Sequence, residues 1–95
     1  MIQIESIKIG EEVYTGLKIE TKPAPIVIIN GNKGFLMCGY LNMEAADKSG
    51  AIAVSTSGVN SFDDLLNKEV AKISAKARQL GVREGMKGRD ALKFL

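Results

Sequence analysis

Ile26-Val27-Ile28-Ile29-Asn30-Gly31-Asn32-Lys33-Gly34-Phe35-Leu36-Met37-Cys38-Gly39-Tyr40-Leu41 is the stretch that decides the fold. Two apolar runs are separated by residues 30–34, types that tolerate positive φ, which predicts a β-hairpin with a loop somewhat longer than two residues. Both runs are apolar on both faces, so they are expected at the centre of a covered sheet.

Upstream, Ile2, Ile4, Ile7 and Ile9 lead to Gly10, and Val13 to Thr21 then alternates with a period of two. Two more strands are predicted there, ended at Lys22-Pro23-Ala24-Pro25, where both prolines lack a donor. Downstream the punctuation becomes helical. Asn42 as N-cap, Glu44 in the first turn and Gly50 as C′ residue predict a short helix over Met43 to Ser49. Ala51 to Thr56 is apolar and β-branched and reads as a buried strand, and residues 57–60 as a turn. Ser61 then caps a helix with Asp63 and Asp64 in its first turn and Leu65 and Leu66 on its buried side.

Residues 69–80 admit two readings. Val70, Ile73, Ala77 and Leu80 fit one continuous helix. Alternatively Glu69 to Ser74 is a strand and Ser74 caps a helix ending at Gly81, which is preferred because Asn67-Lys68 looks like a break. A terminal helix over Arg89 to Leu95 would bury Ala91, Leu92 and Leu95. The expected fold is α+β, a single compact domain over residues 1–95, with a mixed or antiparallel sheet of N-terminal strands packed against short C-terminal helices. Ninety-five residues leave no room for a second core.

Composition excludes several chemistries. There is no His, so no His-based general base, no Ser-His-Asp or Cys-His pair and no imidazole metal site is available. One Cys makes neither a disulfide nor a CxxC motif. No EF-hand spacing occurs, so no metal is expected. The N-terminus lacks the basic region and unbroken apolar run of a signal peptide, and no apolar stretch approaches the length of a membrane span, so a cytoplasmic location is expected. Thirteen basic and eleven acidic residues give +2, unevenly: residues 1–67 carry five and eight, residues 68–95 eight and three. The basic end is either the solvated face of amphipathic helices or a positive surface for an anionic ligand. Nucleic acid is not expected, because Phe94 is the only aromatic in that segment.

Three places could carry chemistry. Cys38, next to Gly39, is either a small buried residue or a nucleophile, which without His would need Lys87, Arg89 or a helix N-terminus to activate it. Gly85-Met86-Lys87-Gly88-Arg89 either shapes a tight turn or aims backbone N–H groups at an anion, with Lys87 and Arg89 adding charge. It is neither a Walker nor a dinucleotide motif, so no cofactor is expected. Ser57 and Gly58 belong to a hydroxyl-rich turn between a strand and a helix, a place that holds either a ligand or a helix cap.

Met37-Cys38-Gly39-Tyr40-Leu41-Asn42, Gly58-Val59-Asn60-Ser61-Phe62-Asp63-Asp64-Leu65-Leu66 and the block from Ala77 to Leu92 together resemble the YunC-like family, a small domain of unknown function from bacteria and archaea. The resemblance covers nearly the whole chain. It implies a compact α+β domain that typically stands alone, and it marks Cys38, Gly39, Gly58, Gly81, Gly85, Met86, Gly88 and Arg89 as matching the family pattern. It implies no reaction. The expected function is therefore a binding module for a small anionic metabolite near residues 85–89, with Ser57 and Gly58 as further candidates. An enzyme using Cys38 and a ligand-free assembly protein are the alternatives. A homo-oligomer is expected because so short a chain buries only a modest share of its surface.

Overall fold

Gly10, at φ +62°, is the first of two residues joining β1 (Ile2–Ile9) to β2 (Glu12–Ile19), a backbone position that glycine takes without strain. The computed structural model describes residues 1–95 throughout. β3 (Ile26–Asn30) and β4 (Phe35–Cys38) form the predicted hairpin, and β5 (Ala53–Thr56) and β6 (Lys72–Ile73) complete one sheet in sequence order. All neighbours are antiparallel except β4 and β5, which run parallel across α1 (Met43–Ser49). Three more short helices follow: α2 (Phe62–Asn67), α3 (Ala75–Leu80) and α4 (Gly88–Leu92). The molecule is an α+β domain with a mixed sheet, and no helix is long and apolar enough to cross a membrane.

Register sorts the side chains. Ile7 and Tyr14, then Gly16, Ile29, Leu36, Val54 and Ile73, share one face, and α2 and α4 pack there. Their buried residues join Phe62, Leu65, Val82, Ala91, Leu92 and Leu95 in one cluster. Close approach needs glycine at two points. A Cβ on Gly16 would come within 2.7 Å of the Phe62 ring, and one on Gly88 would fall on the Leu65 carbonyl. Ala46 and Ala53 are buried outside this cluster, where α1 returns along β5.

The sheet is not covered on both sides as expected for β3 and β4. Their burial alternates, with Val27, Ile29, Leu36 and Cys38 buried and Ile26, Ile28, Phe35 and Met37 only half-buried. The helices are too few and short to cover both faces, so apolar residues fill one face that stays open. The single-helix reading of residues 69–80 is also excluded. Ala71 N donates to Ser55 O and Ser74 N to Ala53 O, which holds this stretch extended against β5, although the ladder is only two residues long rather than running from Glu69.

Ser74 is the hinge between strand and helix. It is fully buried, and its Oγ accepts from Ala77 N at 3.2 Å as the α3 cap and from Ala53 N at 3.0 Å. Ser74→Ala leaves both amides short of a partner and is expected to cost about 2 kcal/mol. Urea unfolding checks this. Ser61→Ala, which loses only its bond from Asp64 N, serves as the milder comparison.

Candidate functional site

β4 and β5 end side by side, with Cys38 in register with Thr56. The chain leaves β4 through Gly39 and Tyr40 toward α1, and leaves β5 through Ser57 and Gly58 toward α2 on the other face. Connections that diverge from the carboxyl ends of neighbouring parallel strands leave a crevice between them, the usual ligand position in sheets of this kind. Here it measures about 250 Å³, walled by Cys38, Gly39 and Tyr40 on one side and Gly58, Val59 and Asn60 on the other, with Ala24 and Pro25 closing it.

Local contacts fix each wall. Leu41 N donates to Cys38 O at 3.3 Å, which turns the chain out of the strand. The Tyr40 hydroxyl donates to Ala24 O at 3.0 Å and ties that turn to the segment before β3. On the opposite wall Gly58 takes φ +70°, and Lys68 Nζ donates to Gly58 O. Asp64 Oδ2 accepts from Asn60 N at 3.0 Å, so this carboxylate is occupied at the start of α2. The amides of Gly39, Tyr40, Ser57, Gly58 and Val59 donate to no group of the protein. A second, wider cavity of about 390 Å³ adjoins the crevice at Pro25 and Asn60 and is bordered by Lys18, Lys22 and Glu20.

Cys38 is 3% exposed. Its Sγ accepts from Val27 N at 3.4 Å and lies 3.9 Å from Pro25 O, so the sulfur ends the β3–β4 ladder in place of a carbonyl. Beside it, the Thr56 hydroxyl is buried without a hydrogen-bond partner. Buried hydroxyls are normally satisfied, so the carboxyl end of β5 holds an unmet polar group.

Residues 37–95 match the domain of unknown function DUF1805. The chain belongs to this family. It is 27% identical over 96 residues to the uncharacterized protein YunC of Bacillus subtilis, covering 97% of this chain and 95% of that one. It is also similar to the crystal structure of a protein of unknown function from Thermoplasma acidophilum: 43% identity, TM-score 0.93, 98% of this chain and 91% of the other. The YunC-like resemblance and the α+β fold both hold. Both main walls of the crevice lie inside the DUF1805 match, whereas Lys18, Lys22 and Pro25 lie before it.

The candidate residues divide into two groups. Cys38 and Gly58 line the crevice, and Ser57 adjoins Gly39 across it. Gly85, Lys87, Gly88 and Arg89 do not come to it. The backbone of Lys87 pairs with that of Glu69 in an isolated antiparallel bridge, Met86 N donates to Arg83 O, and Gly88 N donates to Lys68 O at 2.9 Å. Arg89 Nη2 donates to Asn67 Oδ1 at 2.9 Å. The bare Gly88 amide expected there is therefore taken by the protein's own carbonyl, and Gly88 serves packing against Leu65. In the first turn of α4 Asp90 N also donates, to Lys87 O at 3.0 Å, which leaves only Arg89 N without an acceptor, and no cavity lies against it. The sequence reading missed Lys18, Tyr40, Asn60 and Lys68. Lys18 had a signal: it falls in the same register as Tyr14 and Gly16, a cation on the inward side of an alternating strand.

Two measurements check this geometry. Cys38 is expected to react with iodoacetamide at least about tenfold more slowly in the folded protein than in urea, since the sulfur is buried and already hydrogen-bonded. Thr56→Val is expected to keep or raise stability, by up to about 1 kcal/mol, because it removes an unsatisfied hydroxyl. A loss on thermal unfolding would show that the hydroxyl is satisfied in solution.

Proposed function

We propose that this protein is a cytoplasmic binding module that holds a small anion of the phosphate or carboxylate class in the crevice between the ends of β4 and β5. The observation that carries the reading is a set of five amides, those of the wall residues Gly39, Tyr40, Gly58 and Val59 and of the adjoining Ser57, that donate nothing within the protein. Successive backbone N–H groups in glycine-containing turns favour anions, and unpaired donors at a concave site gain most from a charged acceptor. Lys68 at Gly58 O, with Lys18 and Lys22 bordering the adjoining cavity, outweighs Glu20 in local charge. The 250 Å³ volume is below the roughly 300–1,000 Å³ of drug-sized sites, which suits a ligand of few atoms. A single thiol, buried and unpaired, fits a reducing compartment.

Nucleophilic use of Cys38 is the poorer fit. The groups on its sulfur are the Val27 amide and the Pro25 carbonyl, and Arg89, proposed as an activator, is bound to Asn67. Binding needs only the donors already in place.

Titration of inorganic phosphate into isotopically labelled protein, followed by amide NMR shifts, tests the proposal. Saturable shifts are expected at Gly39, Ser57 and Gly58. Lys18→Met and Lys68→Met should each weaken binding about tenfold, the worth of one charge-assisted hydrogen bond, and Arg89→Ala should leave it unchanged. Shifts confined to residues 85–89, or none that saturate, overturn it.

A further inference from the structure

The face of the sheet opposite α2 and α4, which α1 meets only at β5, raises a separate question. Register places Ile4, Leu17, Ile28 and Met37 in one row across β1 to β4, on the side opposite the core cluster. Ile4 is 69% exposed, Ile2 in the next row 64% and Val13 60%, unusual values for large aliphatic side chains in strands. The only charged side chain that these four strands place on this face is Lys8, at the hairpin end. We propose that this face is the interface of a homodimer, in which two copies stack their β1–β4 sheets face to face.

Two observations select a second copy as the occupant. The first is area. At about 4.8 Å between strands and about 3.4 Å per residue, the face covers roughly 400 Å² in plan. Two such faces would then bury on the order of 1,000 Å² once side-chain relief is included, the size at which a specific interface becomes stable.

The second is the chemistry of the face. It offers aliphatic groups, the Phe35 ring and a thioether, with one row of uncharged polar side chains, Ser6, Thr15 and Asn30, toward the hairpin end, so the apolar rows meet their own image without burying an unpaired charge, as an isologous contact requires. Sheets stacked in this way sit about 10 Å apart at a small crossing angle, a spacing that Ile and Met side chains fill.

Sedimentation velocity from low to high micromolar concentration decides the question. The native chain is expected to sediment as a dimer. Ile4→Glu, at a position too exposed to matter for the monomer's core, is expected to weaken association at least about a hundredfold, because each interface would bury two uncompensated carboxylates. Far-UV circular dichroism confirms that the variant is folded, and Ile2→Lys, in the adjacent row, gives an independent disruption. A native chain that stays monomeric throughout overturns the proposal, as does a dimer that survives both substitutions. Neither result bears on phosphate binding, since the crevice residues lie at the carboxyl ends of β4 and β5 and are untouched by either variant.

Discussion

The parallel pairing of β4 with β5 is the constraint on which the rest depends. Every other neighbouring pair in the sheet is antiparallel, but this pair needs a crossover, and the seven-residue α1 supplies it. The crossover commits α1 to one face and leaves the other for α2 and α4, which settles where the core lies. It also brings two strand ends, Cys38 and Thr56, to the same edge with chains diverging from them. Core, crevice and open face are three results of one change in strand direction.

What the sequence made legible was local. Asn42, Ser61 and Ser74 were readable as N-caps and Gly50 and Gly81 as C-terminal glycines, and each holds that place in the structure, because a cap is decided by a side chain and amides only a few residues away. The β3–β4 hairpin was readable for the same reason. Coverage of the sheet was not, since an apolar strand looks the same whether its second face meets a helix or stays open. The parallel register was hidden as well, because it depends on where α1 deposits the chain. The crevice was half legible: Cys38, Ser57 and Gly58 stood out by residue type, but their meeting across about twenty residues of chain, and their proximity to Lys18 and Lys68, required the fold.

The basic C-terminal portion shows how composition can mislead about a site. Its net positive charge is not gathered into one surface. Arg78 pairs with Glu84 at 2.8 Å, Lys93 lies 3.8 Å from Asp90, Arg89 rests on Asn67, and Lys68 reaches away to Gly58. The ion pairs are exposed and contribute little to stability. The plainer of the two readings, cations solvated along short helices, describes most of this segment, and only Lys68 serves the crevice.

The sheet is ordered as the chain is made, β1 through β6. During synthesis each strand therefore finds its partner already present, with little loop-closure entropy to overcome. The helices that cover the core face come last, since α4 begins only at Gly88. At about 5–20 residues per second, the first four strands wait several seconds for that cover. For that interval the nascent sheet shows grease on both sides, so it is the unfinished chain, more than the finished one, that has most need of a chaperone.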